Sequence, residues 1–542
     1  MTADRIVRAA HIENLDHEPS EHAHVIAIAD GTILAVGGDE ILETHRGPGT
    51  VVHDFPGATV LPGLTDAHAH PVWGSIELGR GLNLGAARAL DEVFALIAEH
   101  LAGLPDGAWV VGFDLDINVF DGEPSGDVIG ERFPGVPVSL MTRDAHALVV
   151  SPRVIELAGI TGAETFDDAS RIATGADGRP TGFVVELRAM DLIFAHYPEI
   201  PVPTAARYVS EQLHRLAAAG LTGLHAMDFD DPSEAVYRQI EAAGDLPLRV
   251  RCSPLVAADS GHEAWEAVAA KQALSGRRWS VEGAKFMLDG TADNGSAWFE
   301  HPDVHGQNRR PLWKDLDAYR DAVRFFTERG IPTATHAIGD QAVRFALDVI
   351  EEVGHPHAGP PHRIEHVESI PDDLLDRFAE LGVVASLQPV HGTRMTDPGQ
   401  NDNWSRRIGP ERVAHGWRTR DLIDHGATVA LGSDWPIGVG DPRVALADAQ
   451  LRRPVDEPDA PPVQPGQRIT AREAHAGMTR ATAIAAGADD RLGRIAPGYR
   501  ADLTVFAENP LTLSPERQAA NPVLATVVDG AVLHAAKEHL PK

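Results

Sequence analysis

Apolar residues in this chain fall mostly in short continuous runs, and eight such runs lie between residues 59 and 432. They cover 59–65, 221–227, 246–253, 281–288, 331–336, 363–367, 383–388 and 428–432. Strands buried on both faces read this way, because neither side of the pleat meets water. Between the runs the apolar period lengthens. In 205–219, Val209, Leu213, Leu216 and Ala217 recur at helical spacing, and 315–329, 341–353 and 372–381 also read as amphipathic helices. Strand–helix alternation repeated eight times predicts an α/β fold, a (β/α)8 TIM barrel.

Two regions depart from that rhythm. Near each end a pair of β runs meets at an Asp-Gly dipeptide, Asp30-Gly31 and Asp529-Gly530, which signals a hairpin. A lone hairpin is marginal in water, so both ends are expected in one small composite β-sandwich domain, 1–60 plus 490–542, around a barrel of 61–489. The connection after the first strand is too long for a loop. Residues 74–203 hold extra strands at 109–113, 136–142 and 181–187, and they read as an inserted subdomain placed to act as a lid.

Composition narrows the partners. The net charge is −32, which repels phosphate backbones and argues against nucleic acid. No apolar run approaches the roughly 18 residues that span a bilayer, so no membrane partner is expected. The start of the chain has no apolar segment of signal-peptide type, and a cytoplasmic location is expected. Cys252 is the single cysteine, which excludes a disulfide framework and a thiolate metal site. By contrast, 27 histidines are available.

The segment PGLTDAHAH (62–70) places His68 and His70 two residues apart at the end of a predicted strand, so both rings project to one side and can grip one ion. The same end of other strands carries Lys285, His336, His366 and Asp434. Each alone has an ordinary structural reading. Together they form a His-x-His, Lys, His, His, Asp series on strands one, four, five, six and eight, at the strand ends where such barrels keep their chemistry.

At these residues the sequence resembles the amidohydrolase superfamily of metal-dependent hydrolases. Within it, the sequence is most similar to the large YtcJ-like branch (amidohydrolase family 3) that includes N-substituted formamide deformylase. Beyond PGLTDAHAH the resemblance rests on RDAHALVVS (143–151), GRPTGFVVE (178–186), AKFMLDG (284–290), HAIGD (336–340), HRIEHVE (362–368), SLQPVH (386–391), GSDWPI (432–437) and GYRADLTVF (498–506). It implies that His68, His70, His336 and His366 are metal ligands and that Asp434 both binds metal and serves as acid/base. Lys285 matches a lysine that is often carboxylated and bridges two ions, so one-metal and two-metal sites both stay open. Nitrogen and oxygen ligands suit Zn2+ best, with Mn, Co or Fe as alternatives. The implied reaction is attack of metal-activated hydroxide on a carbonyl, with Asp434 moving the proton to the departing nitrogen.

Two departures from the family pattern bear on substrate. Many mononuclear deaminases carry Glu three residues after the strand-five histidine, where this chain has Gly339. Hydrolysis of an amide, formamide, carbamate or cyclic amide of a small molecule is therefore favoured over deamination. The stretch after Asp289-Gly290 also differs from that of relatives, which leaves substrate identity open. His146, His225, Asp289 and Gln388 are the candidate substrate-binding residues. His225 has a satisfied core histidine as its alternative, while Asp289 and Asp340 have supporting or helix-capping roles as theirs. Glu365 and Glu368 read as paired or solvated. A deaminase, another hydrolase on the same scaffold, or a non-catalytic family member are the competing readings, and a homodimer is the assembly common among similar proteins.

Overall fold

A computed structural model describes residues 1–15, 23–357 and 359–535. Eight parallel strands follow one another in chain order: β1 (Leu64–Ala69), β2 (Leu221–Ala226), β3 (Arg249–Cys252), β4 (Ala284–Met287), β5 (Thr333–Ala337), β6 (Arg363–His366), β7 (Val384–Leu387) and β8 (Thr428–Leu431). Nearly every residue in them is buried, as their continuous apolar runs require. The pairing falls into two parallel sheets. One holds β1, β2, β3 and Trp279–Val281; the other holds Leu255–Val256 and β4 to β8. The third run, 246–253, forms Arg249–Cys252 beside β2, and the chain just beyond it, Leu255–Val256, pairs with β4. A parallel bridge between Ala69 and Trp435 links the end of β1 to the segment after β8.

Two predicted runs are divided. The 281–288 run breaks at Gly283, whose φ of +124° suits glycine, so Trp279–Val281 stays with β3 and Ala284–Met287 starts afresh beside β5. The first run, 59–65, spans two sheets. Residues up to Pro62 belong to the long strand Val51–Pro62, and β1 begins only after Gly63. Gly63 is the passage between the sheets: its N–H donates to the Asp502 carbonyl, and a Cβ there would lie 2.2 Å from Thr222 Oγ1.

Both chain ends do meet, in one seven-stranded mixed sheet. Its order is Ala531–Ala535, Val523–Val528, Leu503–Phe506, Val51–Pro62, Arg5–Ile12, Val25–Ala29 and Thr32–Gly37. The strands join in a single sheet, not the sandwich expected, because Val51–Pro62 pairs with strands from both ends. Asp30 and Gly31, like Asp529 and Gly530, have positive φ at both turn positions, the geometry that the Asp-Gly signal implies. Residues of the insertion build a further six-stranded sheet that includes Val110–Leu115, Val138–Thr142, Ala147–Val150 and Pro180–Val185.

The largest apolar core runs through the parallel strands and the helices outside them, with separate cores in the terminal sheet and the insertion. The helix expected at 205–219 forms as Val202–Ala218 and buries Val209, Leu213, Leu216 and Ala217. Among the described residues no helix is long and apolar enough to cross a membrane. Because no side chain fits at the passage between sheets, Gly63→Ala should destabilise the fold by about 1–3 kcal/mol. A denaturant midpoint equal to wild type would contradict this.

Candidate metal centre

His68 is the fifth residue of β1 and is fully buried. His70 follows the strand and precedes the helix Pro71–Gly79. Their Nε2 atoms lie 3.5 and 3.0 Å from Asp434 Oδ1. His336 lies in β5 and His366 ends β6, with ring centres 4.5 Å apart. Lys285, the second residue of β4, lines the same cavity. All six residues singled out by the strand-end series therefore converge.

Backbone conformation aims several of them. His366 has φ +74° and Asp434 +57°, values that are uncommon for residues with a side chain and cost on the order of 1–3 kcal/mol each. Neighbouring main chain holds them: Asp434 N–H donates to the His68 carbonyl, His70 N–H to Trp435, and Val367 N–H to Ala337. The strand ends thereby lock to one another just where the ligands leave them.

One buried chain of charge fixes His68. Its Nδ1–H donates to Glu365 Oε2 at 2.6 Å, leaving Nε2 to face Asp434. The Arg363 guanidinium binds the same carboxylate and also donates to the Ala67 carbonyl at 2.5 Å, Ser386 Oγ at 2.7 Å and His225 Nδ1 at 2.8 Å. Burial alone would raise the Glu365 carboxyl, but Arg363 and His68 hold it well below the usual range. Burial and the charge of Lys285 push His68 down to about 4, so its ring is neutral at pH 7 and has a lone pair to give. Burial also lowers Lys285 to about 8. Burial opposes charge on Asp434, but its setting among the histidines holds the carboxyl well below the usual range.

The donor set fits a metal ion. His68 Nε2, His366 Nδ1, His391 Nε2 and Asp434 Oδ1 are all buried and make no hydrogen bond. Buried polar atoms are ordinarily satisfied, so four unsatisfied ones facing one cavity form a donor set that bound metal would satisfy. Two groups have ligand atoms within 4.8 Å of one another: His68, His70 and Asp434, and His366, His391 and Asp434. His336 belongs to neither group. Its Nε2–H is turned toward the Gly290 carbonyl at 3.2 Å, the kind of outer contact that fixes the ring of a metal-binding histidine.

The cavity above these ligands measures about 380 Å3, within the range of small-molecule sites. The insertion supplies much of its wall, including Met141, Asp144, His146, Met190 and Phe194, while Trp404 and Trp417 close another side. His146 sits over the centre, its ring 5.3 Å from that of His336, and its Nδ1 is 3.0 Å from Glu186 Oε2. Burial opposes charge on this ring, but Glu186, Asp144 and Asp434 raise it to about 9.

The other three substrate-binding candidates lie outside the cavity's lining. His225 is the satisfied core histidine, accepting from Arg363, because β2 turns its ring into the strand interior. Asp289 is fully buried and accepts the N–H groups of Trp298, Ile338 and Gly339, so it ties the loop after β4 to the end of β5. Gln388 is buried with neither side-chain polar atom bonded. Asp340 does not cap its helix, where Gly339 holds that place; it accepts from Glu300 N–H and pairs with Arg412. Glu365 is paired as expected. Glu368, by contrast, is neither paired with a cation nor solvated: it is buried, lines the cavity and accepts from Trp404 Nε1 at 2.8 Å. Sequence reasoning missed His391, although SLQPVH places it just after strand seven, where strand-end chemistry is expected.

Parallel strands with imidazoles and a carboxylate gathered at their C-terminal ends are the build of a metal-dependent hydrolase. The family model described as "Amidohydrolase family" matches residues 51–534, and the chain belongs to that family. It is 29% identical to YtcJ of Bacillus subtilis (strain 168), over 95% of this chain and 97% of the relative. It is 25% identical to the N-substituted formamide deformylase of Arthrobacter pascens, over 98% of each. Its fold resembles that of an uncharacterized metal-dependent hydrolase from Pyrococcus horikoshii OT3, with a TM-score of 0.72 at 20% identity, covering 94% of this chain and 99% of the other.

The His146–Glu186 pair gives a pH-dependent expectation. A histidine raised to about 9 contributes stability that is complete below its unfolded value near 6.5 and lost as pH climbs toward 9. In metal-free protein, the melting-temperature advantage of wild type over His146→Gln should shrink between pH 6.5 and 9. A gap that is constant across that window would contradict the charged pairing.

Proposed function

We propose that this amidohydrolase-family protein hydrolyses a carbon–nitrogen bond of a small molecule (an amide, formamide, carbamate or cyclic amide) at a metal centre on a (β/α)8 barrel. The observation that carries the reading is the convergence of four unbonded buried ligand atoms on one cavity. The barrel is supported by eight parallel strands in chain order and by the bridge from Ala69 to Trp435. His68, His70, Lys285, His336, His366 and Asp434 would hold one or two ions, with Zn2+ the best match to nitrogen and oxygen donors. A bound ion of this kind supplies hydroxide at neutral pH and polarises a carbonyl.

The chain's own residues do the rest. Asp434, ionised and beside the ligands, takes the proton of the attacking water and returns it to the departing nitrogen. His146, protonated by its contact with Glu186, donates toward the oxygen on which negative charge develops. Trp73, Phe194 and Met190 offer apolar surface to the substituent of the amide and exclude water from it. Lys285, brought down to about 8, reaches the neutral form that carbamate formation needs at mildly alkaline pH. With the insertion over the site, 74–203 is suited to act as a lid.

Deamination is disfavoured by space as well as by sequence. A Cβ at Gly339 would stand 2.2 Å from the Trp298 carbonyl oxygen, so a glutamate cannot occupy that place without moving the loop. The similarity to N-substituted formamide deformylase makes N-substituted formamides the first compounds to assay. A screen of formamides, N-acyl amines, carbamates and hydantoin-like rings should give turnover that a chelator abolishes. Asp434→Asn should lower kcat by about 10²–10⁴-fold with the melting temperature preserved. Turnover that survives chelation, or full activity in Asp434→Asn, would contradict the proposal.

A further inference from the structure

We propose that His391, from the helix Pro389–Arg394 just after β7, is a metal ligand of this centre, and that Asp434 spans two ion positions, one of which His391 completes. The inference rests on the metal-dependent reading above and adds a ligand outside the strand-end series. His391 is more than nine-tenths buried, and its Nε2 has no hydrogen-bond partner. That nitrogen lies 3.6 Å from Asp434 Oδ2, too far for a hydrogen bond. His366 Nδ1, also unbonded, lies 3.9 Å from the same oxygen. The two rings are nearly parallel, 10° apart, with centres separated by 6.0 Å.

These spacings suit a shared occupant. Ligand atoms on a tetrahedral ion with bonds of about 2.0–2.2 Å stand about 3.3–3.6 Å from one another. The 3.6 and 3.9 Å separations here are within a few tenths of that value. On the other side of the carboxylate, Asp434 Oδ1 faces His68 and His70 at 3.5 and 3.0 Å. Each oxygen of Asp434 therefore addresses its own pair of imidazoles, and the two sets of ligand atoms form separate groups that share only Asp434. An aspartate in this position serves two ions by giving one oxygen to each.

Metal-depleted full-length protein titrated with Co2+ alone tests the assignment. Wild type should take up two Co2+ per chain, and His391→Ala should weaken one of the two steps at least tenfold while the other is retained. His391→Cys should keep both steps and add a thiolate-to-cobalt charge-transfer band, a signature that a merely structural role cannot produce and that does not depend on the alanine variant folding. A single Co2+ step in wild type, unchanged uptake by His391→Ala, or a folded His391→Cys protein without the band would overturn the assignment and leave the hydrolase reading standing. A wild-type chain that binds no Co2+ would contradict both.

Discussion

The site depends on one buried carboxylate. Glu365 stands between the Arg363 guanidinium and the His68 ring, and all three are out of water. An unpaired charge at that depth would destabilise the fold by about 3–5 kcal/mol, so the three groups hold one another in place. Arg363 spreads the constraint further, because it also binds the main chain of β1, the serine of β7 and the histidine of β2. Four strands are thereby tied together beside the candidate metal ligands. The floor of the candidate site is ionic and hydrogen-bonded through Arg363, Glu365 and His68.

Above that floor lie buried polar atoms that make no hydrogen bond within the protein. His68 has one nitrogen bonded to Glu365 and the other bare, so its tautomer and its direction are both fixed. His336 follows the same logic through the Gly290 carbonyl. Strained backbone at His366 and Asp434 accompanies two further candidate ligands, and hydrogen bonds between strand ends hold that backbone. The insertion then covers the ligands with an apolar wall and one charged imidazole. Fold and chemistry divide along the strand axis, with bonded charge below and unbonded donors above.

Much of this was legible in the sequence, for reasons that differ by residue. Continuous apolar runs located the parallel strands because both faces of each are covered. The gathering of His68, His70, Lys285, His336, His366 and Asp434 on one cavity was legible because a strand end fixes which way a side chain can point. What failed was anything set by contacts between distant segments. The start of β1 was misplaced, since only the closeness of Thr222 shows why the chain must break at Gly63. His225 ends its strand as the ligands do, yet it serves Arg363, a partner 138 residues away. Glu368 reads in the sequence as a paired or solvated acid, yet it is buried in the polar wall of the cavity. His391 carried a usable signal, its place after strand seven, but no neighbouring ligand in the sequence to give it weight.

If Glu365 fixes the metal-binding tautomer of His68, metal affinity must depend on a residue that never touches the ion. The most direct measurement is the dissociation constant for Zn2+ of Glu365→Gln beside that of wild type, on protein verified as folded. The account predicts affinity weaker by about 10–100-fold, the usual effect of losing a carboxylate that orients a ligating histidine. Equal affinity in the two proteins would contradict it.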